Sequence, residues 1–342
     1  MTNHDLPLSA VVEHIDDLSP QVRMFSLRPA GGVQPWRVGS HLRVGVRIDG
    51  HDALRHYSLL GLPQDSQAEG VYRIAVKRAD PGRGGSAFMW QLQPGDTLAL
   101  GGPLNHFELP RGDAHCLLLA AGIGITPLLG MALTLAARGA SMQMRYAARE
   151  PAELVFADRL SAALGERLQT FADSAGQRLD LDAEIGALPA GSQLLICGPV
   201  PLLQAAQAAW ARAGRQSADL HFETFGSSGH RAAQPFWVKL PALGLAFEVP
   251  AERSLLDMLA EHGVETLADC QRGECGLCSV DIIELVGSVD HRDVFFSAEQ
   301  QRANRQLCAC VSRVTDGGVV IDTGYRPDTV KPSMPTTPKE TR

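Results

Sequence analysis

The stretch Asp269-Cys270-Gln271-Arg272-Gly273-Glu274-Cys275-Gly276-Leu277-Cys278 places three thiols within nine residues. Thiolates are soft ligands, and three on one short loop suit a soft metal centre better than a disulfide framework. The spacing C-x4-C-x2-C with a distant fourth cysteine is that of a plant-type [2Fe-2S] centre. Gly273 and Gly276 permit positive φ, so backbone N–H groups can point at sulfur. Zinc is the competing chemistry. Zinc sites, however, pair C-x2-C with a second such half or with histidines, and here only "LCACVSR" follows, about thirty residues later. Its Cys308 or its Cys310 supplies the fourth thiol. In a strand both would point to one face, so periodicity does not choose between them.

An iron–sulfur centre moves one electron at a time and needs a source. In "LAAGIGITPLLG", Gly122 and Gly124 lie between the apolar run "CLLLA" and a helical stretch beginning near Pro127. Glycines let the backbone approach a pyrophosphate, the helix N-terminus favours anionic oxygens, and Thr126 can add a hydroxyl contact. A lone G-x-G says little; the strand–turn–helix setting gives it weight. The triplet Cys197-Gly198-Pro199 follows another apolar run. It belongs at the same sheet edge, where open α/β folds bind ligands. After the second strand, Arg149 would attract a 2′-phosphate and Glu150 would repel one, so local charge leaves NADH and NADPH open. A hydride donor and a one-electron centre need a flavin between them.

These motifs resemble the phthalate dioxygenase reductase family, which includes the vanillate demethylase reductases and belongs to the ferredoxin-NADP reductase superfamily. The residues that carry the resemblance are "CGLC", "GSVDHRD" and "CVSRV" near the C-terminus, "AAGIGITP" and "CGP" in the middle, and "RHYSL" at 55–59. The likeness runs from about Leu6 to Asp322. It implies that Cys310 joins Cys270, Cys275 and Cys278 as the fourth ligand, that the flavin is FMN, and that the donor is NADH. From the R-x-Y-S motif it implies that Arg55 meets the flavin phosphate and that Tyr57 and Ser58 contact the isoalloxazine ring, with His56 between them. In "AVKRADPGRGGS", Lys77 and the turn Gly84-Gly85-Ser86 correspond to the second flavin motif. Gly122, Gly124, Ile125 and Thr126 would hold the dinucleotide pyrophosphate, with Arg149 on the same cofactor. Cys197, Gly198 and Pro199 would lie near the nicotinamide, and Phe225 of "LHFETFG" would pack on the flavin face. Ser58, Cys197 and Phe225 are thus the candidate catalytic residues. Three departures stand out: Ala121 where the family often has glycine, Leu104 in place of an arginine in "GPLNHF", and Asp269 where serine is common. A carboxylate beside the cluster is expected to lower its potential.

Such a set needs three kinds of support. Residues 1–112 carry short alternating stretches. "LRVGVRI" puts Leu42, Val44, Val46 and Ile48 on one face and Arg43 and Arg47 on the other. With "VYRIAVKR", "DTLALGG" and turns such as Ile48-Asp49-Gly50, this predicts an antiparallel β-barrel for the flavin. Residues 113–226 alternate apolar strands with helices such as "PLLGMALTLAARG" and "AELVFADRLSAAL", which predicts a parallel α/β sheet for the nucleotide. A small polar linker, 227–235, precedes the strands "FWVKL" and "LAFEV" of a ferredoxin domain at 236–326, a β-grasp fold by resemblance. There Ser254 and Asp257 form a capping box, Gly263 stops the helix, and Leu255, Leu256 and Leu259 face the core. The tail 327–342 is proline-rich and expected to be disordered.

Composition agrees. A chain of 342 residues, 45% hydrophobic and 20% charged, fits a soluble protein of two or three domains. No apolar run nears the ~20 residues of a membrane span, and the polar, acidic start is not a secretory signal. The expected location is the cytoplasm. The net charge of −7 argues against nucleic-acid binding. Together with the composition, the resemblance implies an NADH-dependent reductase, expected as a monomer, serving a Rieske-type, non-haem iron oxygenase that acts on an aromatic compound. A haem monooxygenase as acceptor, and a non-catalytic iron–sulfur redox sensor, are the alternatives.

Overall fold

The computed structural model describes residues 6–79, 84–225 and 232–326. The chain divides into two units, residues 1–228 and 229–342. Residues 80–83 within the second flavin motif, residues 226–231 including the start of the linker, and the tail 327–342 lie outside the described residues.

The first unit holds two sheets. One is antiparallel: β1 (Leu8–Ser19), β2 (Val22–Pro29), β3 (Ser40–Ile48), β4 (His51–Ser58), β5 (Tyr72–Lys77) and β6 (Thr97–Asn105) pair in the order β4-β3-β6-β1-β2-β5. Leu59, just past β4, bridges Ile74 of β5, and Leu60 N–H donates to Arg73 O at 2.9 Å. The sheet's ends thus meet, as a barrel requires. The predicted alternation holds in part in β3: Leu42, Val44 and Val46 are buried and Arg47 is exposed, but Arg43 and Ile48 are half-buried and Gly45 is buried as well. Two short helices, α1 (Pro63–Glu69) and α2 (Gly85–Gln91), interrupt the strands.

The other sheet is parallel, in the order β11-β10-β7-β8-β9. Its elements are β7 (Cys116–Ala121), α3 (Ile125–Ala137), β8 (Met142–Ala148), α4 (Ala157–Leu164), β9 (Leu168–Ala172), α5 (Leu181–Gly186), β10 (Gln193–Cys197), α6 (Val200–Arg212) and β11 (Leu220–Glu223). The run Cys116–Ala120 is buried throughout because β7 is covered on both faces. Strand order reverses between β7 and β10, and crevices open at such points. The helix expected over "AELVFADRLSAAL" begins only at Ala157. Leu154, Val155 and Phe156 all pack on the core. Three consecutive inward residues do not fit a one-faced helix, and the chain turns there with Phe156 at φ 65°. The antiparallel and parallel parts of this unit are in direct contact through α3 and the loop after β8. A Cβ on Gly130 of α3 would strike the Gly61 carbonyl oxygen, and Lys77 bridges to Glu153 at 3.0 Å.

The second unit comprises β12 (Phe236–Leu240), β13 (Leu245–Val249), α7 (Leu255–Glu261), β14 (Ser279–Asp290), α8 (Ala298–Ala303), β15 (Gln306–Cys308) and β16 (Arg313–Asp322). The sheet order is β13-β12-β16-β14-β15, with β12 and β16 parallel. The capping box of Ser254 and Asp257 starts α7, Gly263 follows its end at φ 73°, and Leu255 and Leu259 are fully buried with Leu256 partly so. Among the described residues no helix is long and apolar enough to cross a membrane.

Candidate functional site

The thiol loop runs from the end of α7 into β14. Cys270 and Cys278 are buried and Cys275 is half-buried. Gly273 and Gly276 adopt φ 77° and 73°, and the loop turns its amides inward. The N–H groups of Arg272, Glu274 and Cys275 each donate to Cys270 Sγ at 3.4 Å. Burial pushes the Cys270 thiol up, and these amides oppose it. Amides aimed at sulfur stabilise a thiolate, which is what an iron ligand must be.

The sulfurs fall into two groups. Cys270 is in contact with Cys275, and Cys278 with both Cys308 and Cys310. Hydrogen bonds from Cys308 and Cys310 push Cys278 down to about 3, and sharing that proton pushes the other two up. Thiols gathered from two sides of the loop in this way can hold a two-iron centre.

The structure separates Cys308 from Cys310 in a way that strand periodicity does not. β15 ends at Cys308, which pairs with Ser279. The chain then turns, with Val311 N–H and Ser312 N–H both donating to Cys308 O. The two cysteines are therefore not alternate residues of one strand. Cys310 sits in the turn, where the Gly273 N–H of the thiol loop donates to its sulfur.

In the first unit, β4 presents Arg55, His56, Tyr57 and Ser58. Arg55 lies across the start of α2, where a Cβ on Gly85 would meet its Nε at 2.5 Å and its Cγ at 2.7 Å. Gly84, at φ 73°, precedes it, and Ser86 Oγ accepts from Ala79 N–H at 3.1 Å. A guanidinium beside glycine backbone is a place for an anion. Tyr57 packs on the barrel core; burial pushes its hydroxyl up, against the opposing Arg55 charge. His56 stacks on His41 of β3 with centroids 5.1 Å apart.

Ser58 Oγ donates to Glu223 Oε2 at 3.4 Å, and both residues are buried. This contact ties the flavin motif to the end of β11, two residues before the half-exposed Phe225. Glu223 and the buried Thr224 lie within "LHFETFG", where no local pattern marks a carboxylate that meets Ser58. Only the fold brings them together.

At the crevice, Gly122–Gly124 forms a 3-10 turn that leads into α3. A Cβ on Gly124 would strike the Cys197 carbonyl oxygen and come within 3.0 Å of Gly198 N. The two loops predicted to share a sheet edge are therefore in contact. Gly122, at φ 53°, faces open space, leaving room for a ligand. Ala121 lies against Gly198. Thr126 is buried and donates to Ile123 O at 3.0 Å, and Ile125 is in the core. Pro199 caps α6. Lys77 is occupied by Glu153, while Arg149 is exposed at the end of β8, where its carbonyl accepts from Ser174. Tyr146, unremarked in the sequence, places its hydroxyl 3.1 Å from Gly122 O and fixes the turn from below.

If the Arg55–Gly85 cradle holds a phosphate, Arg55→Ala removes charged hydrogen bonds worth roughly 1.5–3 kcal/mol each. Flavin affinity is then expected to fall by about 10- to 100-fold. Titrating flavin-free protein by fluorescence checks this; unchanged affinity would place the phosphate elsewhere.

Comparison with known proteins agrees with this geometry. Residues 241–315 match the family model of the 2Fe-2S iron–sulfur cluster binding domain, and residues 9–109 that of the oxidoreductase FAD-binding domain. The chain is 35% identical over 317 residues to the heme-dependent oxidative N-demethylase beta subunit of Ectopseudomonas mendocina, covering 92% of this chain and 98% of that protein. It is 33% identical over 305 residues to the phthalate 4,5-dioxygenase oxygenase reductase subunit of Pseudomonas putida, covering 86% and 90%. The solved structure of phthalate dioxygenase reductase, described as a modular structure for electron transfer from pyridine nucleotides to [2Fe-2S], superposes with a TM-score of 0.79 at 29% identity. That match covers 94% of this chain and all of the other.

Proposed function

The chain belongs to the phthalate dioxygenase reductase family, and on that premise we propose that it passes electrons from NADH through FMN and a [2Fe-2S] cluster to a Rieske-type oxygenase. The oxygenase would act on an aromatic compound, as a dioxygenase or an O-demethylase. What carries the reading is that one chain holds all three parts: a flavin barrel, a nucleotide sheet and a domain with a three-thiol loop and a fourth thiol beside it.

When bound, the flavin takes hydride from NADH and the cluster carries single electrons onward. The residues position these groups. Arg55 against Gly85 balances the flavin phosphate, and Tyr57 offers a flat apolar face. Ser58 and buried Glu223 set a hydroxyl and a carboxylate at the end of β4. Gly122 and Gly124 admit the pyrophosphate beside Cys197 and Gly198. Cys270 with Cys275, and Cys278 with Cys310, would each hold one iron.

Two observations support a protein acceptor. Residues 232–326 contain eight Lys or Arg against fourteen Asp or Glu, a net of −6 out of −7 for the whole chain. Exposed Leu267 and Leu277 lie on the thiol loop or just before it, and Phe295 packs against Gly276. An apolar rim in an acidic field fits a partner with basic residues around its own redox centre. The protein would act as a cytoplasmic monomer. A haem enzyme as acceptor is the second reading, favoured by the relative whose name includes heme dependence.

The test is a visible spectrum of the purified protein, anaerobically, before and after NADH. Flavin and cluster bands should both bleach, and an oxidised oxygenase should restore them. Stopped-flow mixing with each class of acceptor then separates the two readings. Colourless protein, or zinc in place of iron, would end both.

A further inference from the structure

The motif "GSVDHRD" ends on Asp293, whose side chain is wholly enclosed and ligates nothing in the reading above. Its Oδ2 accepts from Phe296 N–H at 3.0 Å and its Oδ1 from Ser312 Oγ at 3.0 Å, while His291 Nδ1 lies 3.4 Å from Oδ1. Its backbone reaches the thiol loop. Val294 N–H donates to Gly273 O at 3.0 Å, and a Cβ on Gly273 would come within 2.8 Å of Asp293 Cα. Ser312 belongs to the turn that carries Cys310 and donates its N–H to Cys308 O at 2.9 Å. Asp293 thus joins the two segments that bring the thiols together, and its charge acts on the Cys308 thiol.

We propose that Asp293 is a positioning residue of the cluster and that its enclosed negative charge holds the reduction potential of the [2Fe-2S] centre down. Adding an electron to a site already facing a buried anion is disfavoured, and little water intervenes to screen it. Burial opposes ionisation of Asp293, but the adjacent His291 imidazole and the donors Phe296 N–H and Ser312 Oγ outweigh burial and keep it below the usual carboxylate range. The neighbouring guanidinium groups are engaged elsewhere: Arg292 lies 2.8 Å from Asp290 and Arg272 lies 3.3 Å from Glu274. Asp269, the departure evident in the sequence, is exposed, and solvent and salt screen it. The proposal rests on the four-cysteine reading of the loop.

Redox titrations at pH 8, followed by visible and EPR spectra, test it on wild type, Asp293→Asn, Ser312→Ala and Asp269→Ser. Asp293→Asn should raise the midpoint, favouring the reduced cluster on the order of tenfold. Ser312→Ala strips one donor and keeps the charge, so it should move the midpoint the other way. Asp269→Ser should shift it less than Asp293→Asn. An intact cluster with an unmoved midpoint in Asp293→Asn overturns the proposal, as does an upward shift in Ser312→Ala. Should Asp293→Asn fail to hold a cluster, Asp293→Glu decides. A low midpoint there supports the charge, and a raised one rejects it. Wild-type protein without iron would instead refute the ligand assignment.

Discussion

Cys310→Ser is expected to abolish the cluster while NADH still bleaches the flavin, and Cys308→Ser to keep both. Loss of a direct thiolate should weaken iron binding by more than about 100-fold, the upper end of what an outer-shell change costs. The flavin and nucleotide residues belong to the other unit, so reduction of the flavin by NADH has no reason to fail. Transfer to the oxygenase should stop. The asymmetry comes from the turn after β15. Both cysteines touch Cys278, but Cys310 lies in the turn and takes the Gly273 N–H, whereas Cys308 closes the strand, pairs with Ser279 and is fully buried. Serine at Cys308 buries a hydroxyl, at a cost of about 1–3 kcal/mol, which thermal melting would read as lost stability without lost iron. Iron analysis and EPR of the two variants decide the matter. Cluster loss confined to Cys308→Ser would reverse the assignment.

The three sheets and their layering were legible because burial leaves a period. The alternation in β3 and the unbroken apolar run in β7 each state how many faces are covered. The thiol loop was legible because ligand spacing is local. What stayed hidden depends on contacts far apart in the chain. Glu223 meets Ser58 across 165 residues, and no pattern around either predicts the other. The stop before α4 was missed because "LVF" reads as a helical stripe until three adjacent side chains are seen to face inward. Strand periodicity does not distinguish Cys308 from Cys310, and the turn that ends β15 sets the two apart in the fold. Asp269 drew notice by its place beside a ligand, while Asp293, nineteen residues or fewer from each of its partners, gained meaning only once enclosed.

Gly124→Ala should break the nucleotide site, and by more than its size suggests. The residue has ordinary helical dihedrals, φ −61° and ψ −6°, so glycine is not needed there for conformation. It is needed for proximity. The added Cβ would run into the Cys197 carbonyl oxygen and lie 2.6 Å from its carbon and 3.0 Å from Gly198 N. All three are backbone atoms, and none can rotate away. The loops after β7 and β10 would have to part, and overpacking of this kind costs about 1–3 kcal/mol or more. The proposed crevice for NADH would lose its shape. Gly122→Ala is the control. Its Cβ would enter open space, and at φ 53° it carries only left-handed strain of about 1–2 kcal/mol. The expected result is that Gly124→Ala slows flavin bleaching by NADH on the order of 100-fold, while dithionite still reduces flavin and cluster. Gly122→Ala should keep most of the rate if the open space is spare, and lose affinity for NADH alone if the pyrophosphate fills it. Stopped-flow rates over a range of NADH concentrations separate these cases. Equal and small effects in both variants would mean that the contact between Gly124 and Cys197 does not shape the crevice.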